Sequence, residues 1–266
     1  MDFVEDFYLV LPSNSSMGFY PENTTTCFTT QLFREMRLTG DWSVGLAEIH
    51  VPCTIMHIQD GESVLTFNVG AADKSPIDNK NCHIPHGIYE NVEKLADEIN
   101  RIPIVREHQI LSTTSHRKGY YELRRTCACD QPHYTTLSEK MRRIFGFEAP
   151  VHRLTGTFAT SKNGTTSNVG TRPTCLTRAI PDQLYVYTDI CEPYMVGDTQ
   201  VALLRIVPLD SSRYKFGSNV VKYFAPIHYV PLLQHTFRNI IIDIRDEYGR
   251  KIPFEYGTLT VSLHFV

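Results

Sequence analysis

The 266-residue chain has no basic run longer than two residues, no long apolar stretch and a single tryptophan. Each absence removes a class of protein. Its 26 Lys and Arg are interspersed with 29 Asp and Glu for a net charge of −3, so no basic arm or stripe stands ready to neutralise a file of phosphates. Direct nucleic-acid binding is not expected. No apolar segment approaches the roughly 20 residues that a membrane-spanning helix needs, so no membrane span is expected either. The opening MDFVEDFYLVLPS is acidic and lacks a basic leader, and it reads as the approach to a strand rather than a signal peptide. Seven cysteines, at 27, 53, 82, 127, 129, 175 and 191, are odd in number and irregular in spacing. They argue against a disulfide framework and for folding in the reducing interior of a cell. The glycosylation-like triplets at Asn14, Asn23 and Asn163 then read as chance matches in Ser/Thr-rich loops.

Catalytic signatures are missing as well. There is no Gly-x-Ser-x-Gly, phosphate loop, dinucleotide glycine pattern or His-Glu-x-x-His. Asp189, Asp198, Asp243 and Asp246 fall at strand ends and turns, where carboxylates satisfy turn amides. An enzyme is not expected, and no cofactor is implied. The one metal-like constellation pairs CHIPH (Cys82, His83, His86) with CACDQPH (Cys127, Cys129, His133). Four such ligands could hold zinc if the segments met, but neither half has Cys-x-x-Cys spacing, and packing explains the cysteines equally well. Metal is therefore not expected, with Cys82, His86, Cys127, Cys129 and His133 as the weak candidates.

What is present is β structure. Residues 1–61 hold three extended segments, EDFYLVLPS, TTCFTTQLF and WSVGLAEIHVPCTI, separated by turn-prone chain. Residues 62–150 change character. SVLTFNVG reads as a strand, and HQILSTTS with GYYELRRT as a hairpin. In HIPHGIYENVEKLADEINRI, Asn91 is placed to cap a helix whose Val92, Leu95, Ala96 and Ile99 make one apolar stripe. In TLSEKMRRIFGF, Thr136 and Glu139 have capping-box spacing. Leu137, Met141, Ile144 and Phe145 form the apolar face, and Gly146 stands at the helix end. Residues 151–266 return to strands after a long loop, GTFATSKNGTTSNVGTRPT, that should be exposed. They close on two strands with strict alternation. Ile240, Ile242 and Ile244 share one face, as do Leu259, Val261, Leu263 and Phe265, while Thr258, Thr260, Ser262 and His264 point outward.

About eight antiparallel strands, three before and five after a small α/β module with two short helices, predict a mainly β chain: a single jelly-roll sandwich with an insertion at 62–150. An immunoglobulin-like sandwich lacks its Cys, Trp, Cys spacing here. KYFAPIHYVPLL adds Tyr223, Phe224 and Tyr229 beside two prolines, which suits an irregular exposed connection and makes these aromatics candidates for a subunit interface.

Three stretches carry a family resemblance: FYLVLPSNSSMGFYPENTTTCFTTQL with GDWSVGLAEIHVP; IPHGIYENVEKLADEIN with MRRIFGF; and LYVYTDICEPYMVGDTQVALLRIVP with FRNIIIDIRDEYGRKIPFEYGTLTVSLHF. Together they resemble the minor capsid (penton) proteins of Maverick/Polinton elements and their adintovirus relatives, over nearly the whole chain. The resemblance implies a single jelly roll that assembles as a homopentamer at the five-fold vertices of an icosahedral virion capsid. A separate double-jelly-roll major capsid protein would build the facets, and no catalytic residues carry over. A jelly-roll module that binds a receptor or carbohydrate is the alternative function. A cupin-type metalloenzyme would need a His-x-His strand pattern that is absent.

Overall fold

The computed structural model describes residues 6–69, 80–114, 117–126, 133–148, 151–154, 167–210 and 214–266. In chain order its strands begin with β1 (Phe7–Pro12), β2 (Cys27–Arg37), β3 (Ser43–Pro52), β4 (Ser63–Val69) and β5 (Lys80–His83). Helices α1 (Val92–Arg101) and α2 (Pro103–His108) follow, then β6 (Gln109–Thr113), β7 (Tyr121–Arg125) and β8 (His133–Leu137). After helix α3 (Glu139–Phe145) come β9 (Val151–Leu154), β10 (Ser167–Val169), β11 (Gln183–Thr188), β12 (Tyr194–Val196) and β13 (Thr199–Val201). The last strands are β14 (Leu203–Pro208), β15 (Asn219–Tyr223), β16 (Tyr229–Pro231), β17 (Thr236–Arg245) and β18 (Thr260–Phe265). The chain is mainly β with antiparallel pairing throughout these strands. Among the described residues no helix is long and apolar enough to cross a membrane.

The chain divides into two compact units, one formed by Met1–Ile55 with Pro181–Val266 and the other by Met56–Ile180. The second unit reaches beyond both ends of the 62–150 segment.

In the first unit, one sheet has the order β1-β18-β3-β15, with β16 also on β3, and the other β14-β11-β17-β2. Period-2 alternation explains the interior. Leu11, Leu46, Ile49, Val261, Leu263 and Phe265 line one inner face, and Phe28, Leu184, Val186, Ile240, Ile242 and Ile244 the other; all are almost completely buried. Phe265 meets Phe237 of the opposite sheet with ring centroids 6.1 Å apart. The two closing strands are neighbours in sequence but not in pairing. β17 lies between β11 and β2, whereas β18 lies between β1 and β3. Alternation marks a strand with one buried face and is silent about which sheet receives it. The turn after β17 is built on Asp246. Its carboxylate accepts the amides of Tyr248 and Arg250 at 2.8 Å each and the Arg250 guanidinium at 2.7 Å.

TQVALLRIVPLD, which reads as one strand, is two: β13 pairs with β12 in a small hairpin, and β14 joins β11. Ala202 separates them.

In the second unit, β5-β4-β8-β9 form one sheet and β10-β7-β6 another. Helix α1 begins as its sequence predicts. The Asn91 side chain accepts the Lys94 amide at 2.9 Å, and Leu95, Ala96 and Ile99 are buried. Helix α3 begins later than the capping-box spacing suggests. Its N-cap is Ser138, whose hydroxyl accepts the Met141 amide at 3.3 Å, and Thr136 belongs to β8, paired with Thr66 of β4. Two hydroxyl residues stand one turn from a plausible helix, and the sheet claims the first. A further short helix, α2, has Pro103 in its first turn, where the missing N–H is no loss. Ser167–Val169, read as part of an exposed loop, pairs with β7, while 155–166 lies outside the described residues.

His57 gives this unit a pH dependence. Its Nδ1 accepts the Tyr89 amide at 3.0 Å, and the Lys140 ammonium, itself on Glu62 at 2.7 Å, is a neighbouring positive charge. Burial first, and Lys140 second, depress the imidazole from 6.5 to about 4. A histidine depressed in the fold contributes stability above pH 6.5, and that stability is lost as pH falls toward about 4. Between pH 6.5 and 5, where most carboxylates stay ionised, this unit should lose roughly 2 kcal/mol. Hydrogen exchange at the α1 amides reads this out, and His57→Asn, which keeps an acceptor without the proton site, should flatten the loss.

Candidate interaction surface

The aromatic connection between β15 and β16 hangs from one edge of the first sheet. β15 runs along β3 with Tyr223 opposite Glu48, and β16 resumes on the same strand with Tyr229 opposite Gly45. Gly45 permits this path. A Cβ there would stand 2.4 Å from Ile227 Cγ2 and 2.6 Å from the His228 carbonyl oxygen, so a side chain would lift the returning segment off the sheet.

The three aromatics then separate in role. Tyr223 is 75% exposed and points away from the unit's interior. Phe224 is half-buried beneath the Arg205 guanidinium, 4.0 Å from its ring centroid. Tyr229, also half-buried, shares a 2.7 Å hydrogen bond between its hydroxyl and His264 Nδ1. His264 Nε2 lies 3.2 Å from the Asp6 carboxylate, and the Tyr8 ring stacks on the imidazole at 4.1 Å. This network covers the outward row of β18, leaving His264 6% and Ser262 7% exposed. The alternation places both residues correctly on the outer side. The burial of His264 comes from Tyr8, Tyr229 and Asp6, which no pattern within the strand announces.

A second apolar feature lies on β2, at the far edge of the other sheet. Gln31 opposes Asn239 and Met36 opposes Phe237, so four residues, Leu32 to Glu35, stand against Arg238 alone. Phe33 falls on the outward face with Cys27, Thr29 and Gln31, and beside this bulge its side chain is fully exposed. Alternation along TTCFTTQLF already sets Phe33 on the outward face, whereas the bulge depends on the partner strand and is not legible in the segment. Tyr8 and Val10, about 60% exposed on edge strand β1, extend the apolar surface of the unit.

The metal candidates that fall among the described residues do not gather. Cys82 is buried on one face of β5, its thiol pushed up by that burial and 3.6 Å from the Lys80 carbonyl. His83 is on the opposite face with Nδ1 3.1 Å from the Glu62 carbonyl, and exposed His86 is 3.6 Å from Asp60. Cys127 and Cys129 lie outside the described residues, as does the side chain of His133, whose backbone belongs to β8. Among the described residues no group of three or more His, Cys, Asp or Glu side chains comes together.

Of the four carboxylates noted at strand ends and turns, three accept local donors. Asp189 accepts the Ile241 amide at 2.8 Å and Asp243 the Arg245 guanidinium at 2.8 Å, while Asp246 holds its turn and Asp198 sits between β12 and β13. Cys53 and Cys191 are buried, and burial pushes the Cys191 thiol up to about 11, far from a nucleophile's range.

No protein-family model matches the chain, and no curated protein matches it in sequence. Solved structures do. The crystal structure of the selenomethionine-labelled mavirus penton protein aligns with a TM-score of 0.50 at 11% identity, covering 98% of this chain and 99% of that one. The 3.5 Å cryo-EM structure of the Sputnik virophage contains a chain that aligns with a TM-score of 0.41, also at 11% identity, covering 98% and 97%. At this identity the mavirus alignment establishes a shared fold over nearly the full length of both chains.

Proposed function

We propose that this chain is a structural virion protein: the penton, or minor capsid subunit, of a Maverick/Polinton or adintovirus-like element. It would close into homopentamers at the five-fold vertices of an icosahedral capsid and dock there on a double-jelly-roll major capsid protein. The observation that carries the reading is strand order. Counting the eight main strands of the first unit along the chain and leaving the β12–β13 hairpin and β16 aside, the first, eighth, third and sixth form one sheet. The second, seventh, fourth and fifth form the other. That interleaving is what a single jelly roll requires, with the second unit inserted between its third and fourth strands. The mavirus penton protein shares the fold end to end. A subunit of this kind needs rigidity and lateral contacts, and its product is geometry rather than chemistry.

A closed ring joins one flank of each copy to a different flank of the next. Two of the edge strands offer such unlike flanks: β2 with Phe33 fully exposed, and β15 with Tyr223 at 75% and Val221 at 39%. Light scattering coupled to size exclusion should give a mass near five times 30.4 kDa. Phe33→Asp and Tyr223→Asp each place a charge in the contact and should return the mass to that of the monomer, with the far-UV circular dichroism of the folded chain retained, because neither side chain supports the core. A stable dimer or trimer would overturn the reading.

A further inference from the structure

The first unit contains a cavity of about 460 Å³ between the β1–β2 connection and the β17–β18 connection. Its walls are prebuilt. The Ser13 amide donates to the Leu259 carbonyl at 2.7 Å and the Ser13 hydroxyl accepts the Leu259 amide at 3.0 Å, while the Thr25 hydroxyl donates to the Gly257 carbonyl at 3.1 Å. Gly257 adopts φ +106, and a Cβ there would strike Pro52 at 2.7 Å, so the second wall keeps its place only with glycine.

The lining has two parts. Phe254 and Met17 present partly exposed apolar surface over buried Ile252. Around them stand Asn14, Thr24 and Lys251. Asn14 and Lys251 are exposed, and neither has a hydrogen-bond or ion-pair partner among the described residues. A pocket of about 300–1,000 Å³ with an apolar floor and a few converging polar groups has the form of a small-ligand site.

We infer that this cavity binds a sugar acid, a carboxylate-bearing monosaccharide such as ends or lines an acidic glycan. Each part of such a ligand has a counterpart. The Lys251 ammonium meets the carboxylate, the Asn14 amide offers both a donor and an acceptor to neighbouring hydroxyls, and the apolar surface of Phe254 and Met17 receives the C–H face of the ring. A phosphate group fits less well, since the lining contains one cation and no arginine for bidentate capture. This binding is independent of ring assembly, and its loss would leave the capsid reading untouched.

Ligand-observed NMR and calorimetry on the full chain test it. The probes are the methyl glycosides of N-acetylneuraminic acid and glucuronic acid, with methyl N-acetylglucosaminide and inorganic phosphate as comparisons. A saturable millimolar response to one acid and a weaker one to both comparisons is expected, the preferred acid identifying the glycan source. Lys251→Gln should weaken binding about tenfold and Asn14→Ala severalfold, with Tm unchanged because both side chains are exposed. No saturation by either acid would overturn the inference. So would equal binding of the neutral sugar or of phosphate, or full affinity in Lys251→Gln.

Discussion

Phe265→Ala should lower the unfolding free energy of the first unit by about 3–5 kcal/mol, the cost of removing a fully buried phenyl group and leaving its cavity. The site cannot readily collapse. Phe265 stacks on Phe7 at 4.7 Å with the rings 2° from parallel, and faces Phe237 at 6.1 Å across the sandwich. Its strand, β18, is held by β1 on one side and β3 on the other, so the backbone cannot shift inward without breaking a ladder. Domains of ordinary stability have about 5–15 kcal/mol in total, and this one change would consume much of it. The protein supplies its own probe. Trp42, the only tryptophan, lies 5.6 Å from Phe7 within the same aromatic cluster, so its fluorescence in a urea titration follows this unit. Phe265→Leu keeps most of the volume and should cost about 1 kcal/mol. Equal midpoints for Phe265→Ala and wild type would mean that the sandwich does not depend on this layer.

Much of that sandwich was legible in the residues. Alternation over Ile240, Ile242 and Ile244 and over Leu259, Val261, Leu263 and Phe265 identified the inward face of each strand, and all these side chains are buried. Asn91 and Gly146 marked helix ends because capping and left-handed geometry are local requirements, satisfied within a few residues. What escaped was non-local. The assignment of β17 and β18 to different sheets depends on where a connection crosses the sandwich, and β16 and β10 are three-residue strands defined by their partners alone. Thr136 and Glu139 offered a capping-box spacing that the structure does not use: Thr136 pairs in the sheet, and Ser138 caps the helix.

The surface was harder to read than the core for the same reason. Tyr223 could be picked out beside its prolines, and it is the open member of the aromatic segment. Phe224 and Tyr229 have the same composition around them yet are engaged by Arg205 and His264, which lie 19 and 35 residues away in sequence. Phe33 differs again: alternation sets it on the outward face, and a bulge against Arg238 that the segment does not announce adjoins its full exposure. Lys251 and Asn14 become a pair only because two connections of the fold face one cavity.

Gly146→Ala should be the corresponding blow to the second unit, lowering its stability by roughly 2–4 kcal/mol. Two costs combine. Gly146 ends helix α3 at φ 75, ψ 26, donating its amide to the Arg142 carbonyl, and an L-residue held there loses about 1 kcal/mol against glycine. The larger cost is steric, of the about 1–3 kcal/mol kind that overpacking brings. The new Cβ would fall 2.0 Å from the Arg172 carbonyl oxygen and 2.8 Å from its carbon, and those atoms are backbone that no rotamer can move aside. The segment cannot retreat cheaply, because the amides of Thr171 and Cys175 are bonded to the carbonyls of Gly146 and Ile144 at 2.8 and 2.9 Å. Gly119→Ala separates the two contributions. Gly119 has φ +81 with nothing within 4 Å of its would-be Cβ, so it carries the conformational cost without the clash. Hydrogen exchange at the α1 and α3 amides should rank the proteins wild type, Gly119→Ala, Gly146→Ala, with the wide gap at the last step. Similar losses for both substitutions would mean that 170–175 yields to the helix end, and that α3 is fastened by its own buried face of Met141, Ile144 and Phe145 instead.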